Sequence, residues 1–113
     1  MAEKQCNLLK NGGEIVNLET DSVTGKGITV SFKKMGYVKS LQVSGSTSSA
    51  LASNDAIITV PEKYRPVNEI ANSIDFADTL GLKRLLYNAT DHTLRAGGSI
   101  ASGTALRGVF TYI

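Results

Sequence analysis

No stretch of this 113-residue chain repeats apolar residues at helical spacing over three turns. Apolar and polar residues instead alternate in short runs, each ended by Gly, Pro, Asn or Asp. Period-two alternation belongs to a strand with one buried face. Ile28, Val30 and Phe32 alternate with Thr29, Ser31 and Lys33. Tyr37, Lys39, Leu41 and Val43 share a face of the next run, so 28–33 and 37–44 are read as a hairpin turned at 34–36. Residues 44–55 form a loop of small polar residues, followed by a short apolar strand at 56–60. Pro61 and Pro66 bracket an extended turn, because a proline also restricts the residue before it.

Residues 69–77 alternate again, with Ile70, Asn72, Ile74 and Phe76 on one face, before a turn at 78–81. Leu82, Leu85 and Leu86 fit helical spacing as well as a strand, but the run 82–87 is short and Asn88 and Asp91 follow, which favours a strand. Residues 92–96 form the next strand, Ile100 opens a short pairing, and 106–113 form a final strand. About seven short strands punctuated by turns predict an all-β domain, a small antiparallel β-sandwich or barrel. Residues 1–26 carry little periodicity and several turn formers, with one short strand at 14–18. They are read as an N-terminal attachment arm, and 27–113 as the head domain.

Composition narrows the function. The chain has 11 Ser, 10 Thr and 11 Gly, which suits strands and turns rather than helices. Formal net charge is +2, with only Lys33–Lys34 and Lys83–Arg84 as adjacent basic pairs. Nucleic-acid binding, which draws on concentrated basic surface, is not expected. No run approaches the ~20 apolar residues of a membrane helix. The polar start lacks a secretory segment, so synthesis in a cytoplasm is expected. Cys6 and His92 are the only cysteine and histidine, which argues against an internal disulfide or a zinc site within one chain. Cys6 reads as an uncommitted thiol. No cofactor is expected.

Glu62, Asp75, Asp78 and Asp91 sit near turns, where acidic residues are common. A nucleophilic triad would need His92 as its base, and the glycines match no phosphate loop. The chain is therefore not read as an enzyme. Arg84, Arg95 and Arg107 lie in or beside the last three expected strands, which could bring them together. Guanidinium forks suit hydroxyl-rich or phosphate-bearing ligands. Outward-facing arginines that keep strand edges soluble are the plainer reading.

Three segments in order, Gly27-Ile-Thr-Val-Ser-Phe-Lys-Lys34, Val60-Pro-Glu-Lys-Tyr-Arg-Pro66 and Leu106-Arg-Gly-Val-Phe-Thr-Tyr-Ile113, resemble the C-terminal head domain of phage receptor-binding proteins. The likeness is greatest to those of lactococcal siphophages and related tail-fibre or baseplate proteins. Gln5-Cys-Asn-Leu-Leu-Lys-Asn-Gly-Gly13 is similar to the opening of phage tail proteins. The resemblance implies a homotrimeric β head in the virion tail, with other tail or baseplate proteins and a host cell-wall saccharide or phosphorylated polymer as partners. The family site uses a His-x-Asp, a Trp and an Arg. Here Arg84-Leu85-Leu86 falls on the first and Arg95-Ala96 near the second, and Arg107 followed by Gly108 matches the third. The expected ligand-binding set is Arg84, Tyr87, His92, Arg95 and Arg107, with Tyr87 as the stacking surface. The alternative is a structural tail or baseplate part that trimerises and caps a fibre.

Overall fold

The computed structural model describes residues 9–11, 14–67, 73–78 and 81–113. Its strands are β1 (Leu9–Asn11), β2 (Glu14–Val16), β3 (Leu18–Gly25), β4 (Ile28–Met35), β5 (Val38–Gly45), β6 (Ala56–Thr59), β7 (Ser73–Asp78), β8 (Gly81–Asn88), β9 (Thr93–Ala96) and β10 (Gly108–Tyr112). A short 3-10 turn spans Glu62–Tyr64, and the described residues contain no α-helix. The domain is all-β, as the alternation predicts. Two four-stranded sheets, ordered β10-β5-β4-β3 and β6-β9-β8-β7, are antiparallel throughout, and β1 pairs with β2 separately.

The sheets share one core. Ile28, Val30 and Phe32 of β4 and Leu41 and Val43 of β5 face Leu85 and Tyr87 of β8 and Leu94 and Ala96 of β9. At the rims, β3 runs close to β6 and β10 close to β7. The arrangement is a sandwich whose corners are nearly closed.

Two tight turns fix the register of the first sheet. Lys26 and Gly27 join β3 to β4 with φ of 56° and 84°, the pair of positive angles that a two-residue turn of matching twist requires. Gly36, with φ of 63°, and Tyr37 join β4 to β5. The expected turn at 34–36 therefore shifts. Lys34 and Met35 continue the alternation as strand, and the glycine takes the first central position.

Leu18–Gly25, read from the sequence as part of the arm, pairs along its whole length with β4. It is an edge strand with only a half-buried Val23 on its apolar side, so no apolar alternation announced it. Of the strand expected at 69–77, residues 73–77 belong to β7, and 69–72 lie outside the described residues.

The chain crosses between sheets through the β5–β6 and β9–β10 connections, which fasten to each other. Buried Thr47 donates from Oγ1 to the Ala101 carbonyl (2.7 Å) and accepts from the Thr104 amide (2.9 Å). Leu51 pairs with Ile100 through both amides, and both side chains are buried. Of the small-residue run 44–55, Ser44 and Gly45 end β5, and the rest is a loop with its own anchors in the core.

Candidate functional site

The five sequence-derived candidates divide between the two sheets. Arg84, Tyr87 and Arg95 lie on the adjacent strands β8 and β9, and His92 lies in the turn between them. Arg107 precedes β10, which pairs with β5 in the other sheet. The expected neighbourhood of the last three strands therefore holds for β8 and β9 and fails for β10. The cause is the crossover after β9, which carries the chain from one sheet to the other.

Around β8 and β9 the side chains are largely engaged within the chain. Tyr87 faces inward, and its hydroxyl lies 2.9 Å from Nδ1 of His92. Burial raises the Tyr87 pKa, with the Arg65 cation opposing and the Asp91 charge adding. His92 is not the first residue of a strand, as expected, but a turn residue with φ of 60°. Its amide donates to the Asn88 carbonyl, and its own carbonyl accepts from the Val60 amide, each at 2.8 Å. The Asn88 side chain closes the turn by accepting from the Thr90 amide.

Arg95 faces outward and is held by three partners. Nε donates to the Thr93 hydroxyl (2.9 Å), one terminal nitrogen donates to the Asn54 carbonyl (3.1 Å), and the other pairs with Asp91. The Thr93 hydroxyl bond, followed by the Arg95 contacts, holds the Asp91 carboxyl below its ordinary pKa. Arg84 lies on the same outer face, and its stem passes so close to Gly97 that a Cβ there would sit 2.7 Å from Arg84 Cγ. Arg65, which the sequence did not single out, donates from Nε to the Val60 carbonyl and lies near Tyr87. A basic residue between two prolines gives no signal of which face it will join.

A second candidate surface is the outer face of the first sheet. Register places Thr24 beside Thr29 and Ser44, then Ser22, Ser31, Gln42 and Val109 in a row, then Thr20, Lys33, Ser40 and Thr111. All are exposed or half-buried. The Thr24 and Thr29 hydroxyls are 2.9 Å apart. Arg107 is exposed and shares the outward parity of Val109 and Thr111, at the Thr24 end of this face. The opposite end is apolar: Leu18, Met35 and Val38 stand side by side, with Tyr37 in the adjoining turn 82% exposed. Among the described residues, no group of three or more His, Cys, Asp or Glu is placed to hold a metal ion. No helix of the described residues is long and apolar enough to cross a membrane.

No protein-family model and no curated protein matches the chain.

Proposed function

We propose that this chain is a recognition domain of a bacteriophage tail that binds a hydroxyl-rich or phosphorylated polymer of the host cell wall. The observation that carries the reading is the outer face of the first sheet. Three cross-strand rows of Ser and Thr hydroxyls, with Gln42, Lys33 and Arg107, make a broad polar surface on a rigid support. Hydroxyls that both donate and accept suit a polyol, and a guanidinium adds charge-assisted bonds to phosphate or hydroxyl oxygens. The segment resemblance to phage head domains agrees with this, and Arg107 is the residue common to both lines of argument. Arg84, Tyr87, His92 and Arg95 then form a separate region, in which Tyr87, His92 and Arg95 serve chiefly to hold the β8–β9 turn.

Arg107→Ala is expected to weaken binding to intact lactococcal cells by about 1–3 kcal/mol, the scale of a lost charged hydrogen bond. Binding of the original protein should fall as salt rises. Cell binding that is unchanged in the variant and indifferent to salt would remove this face from the reading.

The structural alternative, a tail part that trimerises and caps a fibre, has its own observation. Leu18, Val38 and Tyr37 are 48%, 50% and 82% exposed and cluster at one end of the sheet. Exposed apolar groups that adjoin across strands mark association surfaces. If this end joins copies into a trimer, light scattering should give three times the chain mass, and Val38→Lys should return it to that of the monomer. A monomer mass for the unaltered chain at micromolar concentration would count against self-association.

A further inference from the structure

The inward row of the first sheet nearest the β4–β5 turn is not apolar. Register aligns Glu19 of β3, Lys34 of β4, Lys39 of β5 and Tyr112 of β10. These residues continue the face that carries Phe32, Leu41 and Phe110 one row further into the core. Lys39 is 5% exposed, yet its ammonium has no hydrogen-bond or ion-pair partner among the described residues. The nearest acid in the row, Glu19, is engaged by Lys63 at 3.0 Å. The Tyr112 hydroxyl is donated to the Tyr64 carbonyl. Lys34 stands directly across the ladder from Lys39, half-buried, and adds a second positive charge.

A buried ammonium without a counter-charge is costly, and unsatisfied buried polar groups in folded proteins commonly mark an ion or a functional site. We propose that Lys39 and Lys34 form an internal seat for a phosphate-class oxyanion, between the sheets at the β4–β5 turn end. Lys39 supplies the desolvated contact and half-buried Lys34 the side open to solvent. The Tyr112 hydroxyl, already committed, forms a wall of the seat. Burial, and then the charge of Lys34, lower the Lys39 pKa, which is the strain a bound anion would relieve. This inference is independent of the cell-wall reading, which concerns the opposite face of the same sheet.

The test is thermal unfolding of the full chain in increasing inorganic phosphate at constant ionic strength and neutral pH. The unaltered protein should show a saturable rise in Tm of about 5 °C. Lys39→Met keeps the volume and removes the charge. It should retain only the weak, unsaturating rise that phosphate gives any protein by exclusion from its surface. Lys34→Gln, at a half-exposed position that tolerates substitution, should raise the half-saturating phosphate concentration several-fold. Equal phosphate responses in the original protein and in Lys39→Met would overturn the proposal.

Discussion

Replacing Phe32 with alanine is expected to lower stability by about 3–5 kcal/mol, the cost of emptying a large aromatic site in a packed core. Phe32 is fully buried at the centre of β4. Its ring stacks on that of Tyr64, with centroids 5.2 Å apart and planes 25° from parallel. Tyr64 belongs to the 3-10 turn between the two prolines and is 2% exposed, and its carbonyl accepts the Tyr112 hydroxyl at 2.5 Å. Removing Phe32 therefore leaves a cavity and also takes away the surface on which that turn rests. A domain with ~5–15 kcal/mol in total would lose much of its margin. Urea unfolding should show a large fall in midpoint with little change in slope. Thr20→Ala, on the exposed face of the neighbouring edge strand, should stay within about 0.5 kcal/mol of the original protein. Because Phe32 and Tyr64 touch, the double replacement should cost less than the two single ones together. A Phe32→Ala midpoint equal to that of Thr20→Ala would mean that the two sheets do not share this core.

The contrast between Phe32 and Tyr64 separates what the residues announce from what only packing decides. Phe32 sits in strict alternation with Thr29, Ser31 and Lys33, so its inward direction follows from the period of a strand. Tyr64 lies in a proline-bracketed turn with no period, and its burial depends on where the turn lands. The edge strand β3 was hidden for a related reason. Thr20, Ser22 and Thr24 face solvent, and opposite them only Val23 is apolar and half-buried, so the run looks like a polar arm. The β4–β5 hairpin was legible because both of its strands alternate and Gly36 marks the turn between them.

Strand order was not legible, and the candidate site depended on it. Arg84 and Arg95 are neighbours because a four-residue turn joins their strands, whereas Arg107 follows a connection that changes sheets. Sequence adjacency predicts pairing for a hairpin and says nothing about a crossover. Of the hydroxyl rows of the first sheet, the β4 positions Thr29 and Ser31 stood out as the polar half of an alternating run, and the β3 positions did not. Their assembly into one surface required the register.

Gly25→Val is expected to cost about 3 kcal/mol, the upper part of the range for overpacking, for a reason unconnected with backbone conformation. Gly25 ends β3 where that strand meets β6 at a corner of the sandwich. A Cβ at Gly25 would sit 2.1 Å from the Ile57 carbonyl oxygen and 3.0 Å from Ile58 Cγ2. The first obstacle is backbone, at a bulge whose flanking residues Ala56 and Ile58 are both paired with β9, so it cannot swing aside like the tip of a side chain. Accommodating the valine requires parting the two sheets at this corner, which would loosen Ile57 and Ile58 in the core. Gly98 supplies the comparison, because a Cβ there meets nothing within 4 Å, and Gly98→Val should be close to neutral. Gly27 differs from both, since it combines a φ of 84° with an approach of 2.2 Å to the Ser46 carbonyl and so joins steric and conformational cost. Amide exchange should distinguish the mechanisms. Gly25→Val should speed exchange in β6 and in the β3 end of the first sheet while leaving the β4–β5 ladder protected. If Gly25→Val and Gly98→Val unfold at the same urea concentration, the corner is free to open, and the sandwich is closed by its central core alone.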